Sequence, residues 1–282
     1  MLFLLIGCEQ VKNETESNPE NTKMWTFNAT DGAYIEWTST VDYANEMQFH
    51  AMKHMYNVER QKSQTFFEKV LEYDPSLFGP HVVLAGLAPK GSDKEQMHIE
   101  KAKELVADNN ETSQVFVSLL DVEREGANWP LVSKGAHELW AKMRALEPKG
   151  KLIHYFYAFT IPEFDNKINE MEKLLAEIQY KKGDPSSLST SGDNSFMIPP
   201  IINSLGYFYY AKGDKEKAKQ LFEEYLDAYP EGYNPYDSMG EFYFNEGDYQ
   251  NAELFYTKAL EIYPSSTSAN TMINRISSLE TN

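Results

Sequence analysis

The chain has 282 residues, with 26 Lys and Arg against 43 Asp and Glu, a formal net charge of −17. A surface this acidic repels polyanions, which excludes nucleic acid as a partner and disfavours anionic lipid head groups. Apolar residues at 41% and charged residues at 24% exclude a disordered chain, and the single cysteine, Cys8, excludes an internal disulfide or a multi-cysteine metal site.

Residues 1–7 form an apolar run, far short of the roughly 20 that a spanning helix needs. Leu5-Ile6-Gly7-Cys8 resembles the lipobox of bacterial lipoproteins. The resemblance implies that residues 1–8 are the remnant of a signal segment, that Cys8 becomes a lipidated N-terminus, and that the protein is lipid-anchored in the bacterial cell envelope, with the outer membrane as the expected site. No Lys or Arg precedes the apolar run and the run is short, so the expectation is a start placed late or missing upstream residues. The alternative for Cys8 is burial without modification. Residues 9–23 are polar and without periodicity, a flexible tether spanning on the order of 20 Å.

Over residues 24–40, Trp25, Phe27, Tyr34, Ile35 and Trp37 flank Asp31-Gly32, a turn signal that predicts a small N-terminal β-hairpin arm. Apolar periodicity then predicts helix pairs near 41–73, 77–108, 112–146 and 149–182. Phe67, Val70 and Pro75, and later Ala136, Trp140, Met143 and Pro148, close two of these pairs with similar spacing. Residues 183–196 are serine-rich and read as a polar loop insertion, with a lid as the alternative.

From residue 197 the chain repeats itself. Gly206, Tyr209, Gly213, Asp214, Ala218, Tyr229 and Pro230 recur 34 residues later as Gly240, Tyr243, Gly247, Asp248, Ala252, Tyr263 and Pro264. Each copy reads as two amphipathic helices, with Gly-Asp ending one and capping the next and Pro closing the second. Gly206 with Ala218, and Gly240 with Ala252, mark where the two helices approach closely. Residues 265–282 read as a helix capping the open end of the stack.

The repeat at 197–264 resembles the tetratricopeptide repeat (TPR). Leu205, Gly206, Tyr209, Ala218, Phe222 and Pro230 match its signature, with Ile202 in place of the usual Trp and Tyr225 in place of a small residue. The resemblance implies an all-α, right-handed helical solenoid of about six pairs plus the capping helix, with the degraded pairs at 41–182 joined to the two clear repeats. The wider arrangement, lipobox then tether then repeats, resembles TPR lipoproteins of the kind common in Bacteroidetes.

In such a solenoid the first helix of each pair lines a concave groove that holds a partner peptide or helix. Transferred onto this chain, the groove positions are Asn203, Tyr207 and Tyr210, then Asn234, Asp237, Glu241, Phe244 and Asn245. The first pair contributes Met52, Met55 and Tyr56, with Asn45 and Gln48, and the fourth contributes Tyr157 with Ile153. Family members that bind chaperones clamp a C-terminal carboxylate with Lys and Arg, but here those positions carry Asn, Asp and Glu.

His50 and His54 share a helix face, yet Ala51 stands where the zinc-protease pattern needs Glu, so both read as packing residues. No phosphate loop or serine elbow occurs, and no cofactor or metal is expected. The implied function is non-catalytic protein–protein interaction by an envelope-anchored adaptor or assembly factor. The alternatives are capture of a small molecule or glycan, as in nutrient-uptake lipoproteins, and an enzyme built from dispersed carboxylates.

Overall fold

The computed structural model describes residues 31–32, 34–124, 130–178 and 196–280, and these are helix, turn and irregular chain without a strand. Residues 1–30, with Cys8 and the tether, and the loop expected at 183–196 apart from Phe196, lie outside the described residues. Among the described residues thirteen α-helices run in order: α1 (Asp42–Tyr56), α2 (Arg60–Tyr73), α3 (Phe78–Leu87), α4 (Asp93–Leu105), α5 (Glu111–Ser118), α6 (His137–Leu146), α7 (Lys151–Thr160), α8 (Phe164–Glu177), α9 (Ile198–Lys212), α10 (Lys215–Ala228), α11 (Asn234–Asn245), α12 (Tyr249–Ile262) and α13 (Thr267–Glu280). They pair consecutively, α1 with α2 through α11 with α12, and α13 packs on α12. The result is an all-helical solenoid of six pairs and a last helix.

The last two pairs follow directly from local sequence. Gly213 (φ +93°) and Gly247 (φ +80°) make the left-handed turns that end α9 and α11. Asp214 and Asp248 then accept from the backbone N–H of Lys217 (3.0 Å) and Asn251 (3.1 Å), capping α10 and α12. The close approach expected at Gly206 and Ala218 is filled by an aromatic ring. A Cβ on Gly206 would lie 2.7 Å from Cε1 of Phe222, one turn beyond Ala218.

The expected hairpin arm is not formed among the described residues. Residues 34–40 instead run irregularly along the helices, because the N-terminus of α5 satisfies their polar groups. The Glu36 N–H donates to Ser113 Oγ (2.9 Å), and Asn110 donates to the Tyr34 carbonyl (2.9 Å) and, through its own N–H, to the Glu36 carboxylate (2.7 Å). Ile35 and Trp37 are buried, with the indole against Gly79 and Phe116. Asp31 reaches further. Its carboxylate accepts from the backbone N–H of Lys151 (2.9 Å) and Ile153 (3.0 Å), supplying the cap that Gly150 cannot. Burial pushes this carboxyl up to about 7 despite those donors.

The first helix pair also touches the last repeats. The Tyr225 hydroxyl donates to Asn57 Oδ1 (3.1 Å) and accepts from Asn234 Nδ2 (3.0 Å), and the Tyr233 hydroxyl donates to the Val58 carbonyl (3.0 Å). Tyr263 meets Gln61 (3.3 Å), and the Lys53 ammonium lies over the Tyr229 ring (5.3 Å). The α1–α2 turn that makes these contacts repeats the hydrogen bonding of the glycine turns. Val58 N–H donates to Met55 and Glu59 N–H to His54, as Gly213 does to Tyr210 and Asp214 to Tyr209. Here, however, the left-handed residue is Val58, at φ +60°. A β-branched side chain in that conformation is strained by about 1–3 kcal/mol and persists only where its surroundings hold it.

Tyr225→Phe removes a fully buried hydroxyl that serves two amides and leaves both without it. The expected loss is about 1–3 kcal/mol, measured by urea denaturation.

Candidate functional site

The contact between the two ends leaves a cleft of about 310 Å³ bordered by α1, α7 and α9. Met55, Tyr56 and Val58 line it from the end of α1, Tyr155, Phe156 and Phe159 from α7, and Asn203, Ser204, Tyr207 and Phe208 from α9. The aromatic rings hold one another in place. Tyr56 meets Tyr155 edge-on at 5.2 Å and stacks with Phe156 at 6.0 Å, while Tyr155 bonds Ser204 through its hydroxyl (3.1 Å). Phe196 closes behind Tyr56 and Phe49.

Two polar atoms here have no partner among the described residues: the hydroxyl of Tyr56, a residue 7% exposed, and Asn203 Oδ1. Unpaired buried polar atoms are costly.

Tyr207 links the cleft to the next helix by donating its hydroxyl to Glu241 Oε2 (2.7 Å). One turn before Glu241, Asp237 is 7% exposed, accepts from Ser268 Oγ at Oδ2 (3.1 Å) and has no partner at Oδ1. Burial raises its carboxyl to about 6, aided by the charge of Glu241 and opposed by the Ser268 hydrogen bond.

Of the groove residues expected from sequence, Met55, Tyr56, Asn203 and Tyr207 therefore share the cleft, and Asp237 and Glu241 lie beside it. Others are placed elsewhere. Met52 is fully buried in the core, and Asn234 is buried and bonded to Tyr225. Tyr210 donates to Glu246 (2.8 Å), Phe244 lies under the Arg275 guanidinium (4.8 Å), and Asn245 is exposed. Tyr157 stacks on His137 in a separate polar hollow of about 240 Å³, with Asn169 and Glu170.

Sequence reasoning missed Tyr155, Phe156 and Phe159 because α7, Lys-Leu-Ile-His-Tyr-Phe-Tyr-Ala-Phe-Thr, carries no repeat signature that fixes its register. It chose Tyr157, and Ile153, which is buried.

The histidines are not the core residues expected at 50 and 54. Both are half-buried and stack on Phe66, and His54 pairs with the Glu59 carboxylate. His81 and His98, 17 residues apart in sequence, lie Nδ1 to Nδ1 at 2.8 Å. Burial, then the neighbouring His81 and Lys94, lowers His98 to about 4. Among the described residues no group of three His, Cys, Asp or Glu side chains is placed to hold a metal.

Residues 204–232 and 233–266 each match a tetratricopeptide repeat family model, so the chain carries two TPR motifs, and the pairs before them continue the same helix-pair architecture. No curated protein matches the chain significantly. Among solved structures it is similar to PilW, a type IV pilus biogenesis factor (15% identity over 84% of this chain and 100% of that one, TM-score 0.39). It is similar also to yeast Tom70 (14% identity, 92% and 62% covered, TM-score 0.44) and to the TPR domain of P58(IPK) (16%, 85% and 66%, TM-score 0.28).

An ionised carboxyl held at about 6 rather than near 3.8 costs roughly 3 kcal/mol. That penalty is present above pH 6 and absent below the unfolded value near 4, so this group stabilises the fold as pH falls. Asp237→Asn is expected to be more stable than the wild type at pH 8 by up to about 3 kcal/mol, with the gap closing by pH 4 in urea titrations.

Proposed function

We propose that this chain is a non-catalytic protein-interaction module that docks a segment of a partner protein in the cleft between α1, α7 and α9. The supporting observation is the pairing of strain with exposure at Val58. A residue held at φ +60° contributes its side chain to the cleft and remains 43% exposed, where glycine would relieve the strain. Partly open aromatic and methionine surface with unpaired polar atoms is the composition of a docking site. The TPR motifs support the same reading, since helix-pair solenoids present extended concave surfaces. The net charge of −17 argues against a nucleic-acid ligand.

The position of the protein belongs to the same proposal. Leu5-Ile6-Gly7-Cys8 supports a lipid anchor at the bacterial envelope, with an adaptor or assembly role there. No helix among the described residues is long and apolar enough to cross a membrane. Wild-type protein from its native host is expected in the detergent phase of a Triton X-114 separation and Cys8→Ser in the aqueous phase. Equal partitioning of the two would remove the anchor.

A photo-reactive benzoylphenylalanine in place of Asn203 tests the docking site in the native envelope. One discrete adduct is expected there, and none from the same group in place of Glu253, which is exposed on α12. Identical adducts from both positions would count against the cleft. A second reading, capture of a small molecule, is favoured by the cleft's volume, which lies at the lower edge of ordinary ligand pockets. It predicts no protein adduct from either position.

A further inference from the structure

The open polar atoms on this face have a chemistry of their own. Asn203 Oδ1 and Asp237 Oδ1 are buried acceptors without a donor among the described residues, and Glu241 presents a second carboxylate one turn from Asp237 on α11. The donors already present are hydroxyls. Tyr207 serves Glu241 and Ser268 serves Asp237, and among the described residues no cation belongs to the groups acting on Asp237. Arg275, on α13, faces the same region, but its guanidinium is stacked on the Phe244 ring at 4.8 Å.

A face that offers acceptors and negative charge lacks a ligand bearing several N–H donors and a positive charge, which describes an ammonium or guanidinium. The aromatic cleft lies directly alongside, because Tyr207 borders the cleft with its ring and touches Glu241 with its hydroxyl.

We infer that the occupant is a partner peptide carrying an apolar side chain close in sequence to a Lys or Arg, with the apolar group in the α1–α7–α9 cleft and the cation on Asp237 and Glu241. This rests on the docking reading above and specifies its chemistry. The apolar anchor supplies burial among Tyr56, Phe156 and Tyr207. The cation satisfies Asp237 Oδ1, and its charge offsets the burial that works against an ionised carboxylate. Burial of Asp237 without a cation thus weakens the free protein and favours the bound one, a conflict between local stability and site chemistry typical of functional positions. The inference also inverts the charge of a groove that grips a carboxylate terminus with Lys and Arg.

The test is selection of a random dodecapeptide display library against the purified full chain, followed by titration of the enriched peptides by isothermal calorimetry. Enriched sequences are expected to pair an aromatic or aliphatic residue with Lys or Arg within a few positions. Their affinity should fall about tenfold or more in the double variant Asp237→Asn, Glu241→Gln, and should weaken as salt rises. Both substitutions keep size and hydrogen-bonding capacity, and circular dichroism melts confirm that the variant is folded before it is titrated.

Enriched peptides without a basic residue, bound through the cleft and lost in Tyr207→Ala, would overturn the cation assignment while leaving the docking reading in place. Basic peptides that bind wild type and double variant equally would do the same. Saturation of the site by phenethylammonium at micromolar concentration would make the occupant a small organic cation and overturn the peptide assignment. A selection that enriches nothing would overturn both readings.

Discussion

The hydrogen bond from Tyr225 to Asn57 joins residues 168 positions apart and ties the first helix pair to the fifth. A helical-repeat protein ordinarily touches only its neighbours along the stack, and its concave surface stays open. Here the first turn, Asn57-Val58-Glu59, meets the hydroxyls of the last repeats, and α1 comes within reach of α7 and α9. The groove becomes a bounded cleft. Its aromatic walls are contributed by helices far apart in sequence, and the strain at Val58 sits where these walls meet.

The sequence made the repeats readable because their determinants are local. A glycine that must turn left-handed, an aspartate that must cap, and a glycine under a ring each act within one hairpin, so a 34-residue period exposes them twice. The degraded pairs were legible only as periodicity, which placed the helices and not their faces. That is why Met52 falls in the core and why Tyr157, rather than Tyr155 or Phe159, was taken for the groove. The arm at 24–40 shows another limit. Alternating aromatics around Asp-Gly signal a hairpin, but the described part of that segment finds its hydrogen-bond partners on α5 and α7, which no local rule reveals. The end-to-end contact left one trace, a tyrosine at 225 where the repeat pattern has a small residue.

Charge is distributed with a similar economy. Several acidic side chains form exposed pairs along helix faces, such as Lys69 with Glu72 and Lys258 with Glu261, which add little to stability. Asp31 and Asp237 differ, being buried and raised toward neutrality. Asp31 is satisfied by backbone donors and serves the fold. Asp237, beside an aromatic cleft, keeps one buried oxygen without a partner among the described residues.

Asp31 caps α7 from 120 residues upstream, so the first half of the solenoid is sealed by a bond that skips three helix pairs. Synthesis from the N-terminus therefore yields, for a time, a leading segment that can reach α3 and α5 while the Asp31 carboxylate waits for its donors. Only when α7 emerges does Asp31 gain its backbone donors, and only when α10 follows can the ring of contacts through Asn57 close. The stack thereby exchanges the piecemeal, end-fraying melting of a repeat array for the concerted behaviour of a globular domain, with a folding rate set by these distant contacts rather than by the fast helix hairpins.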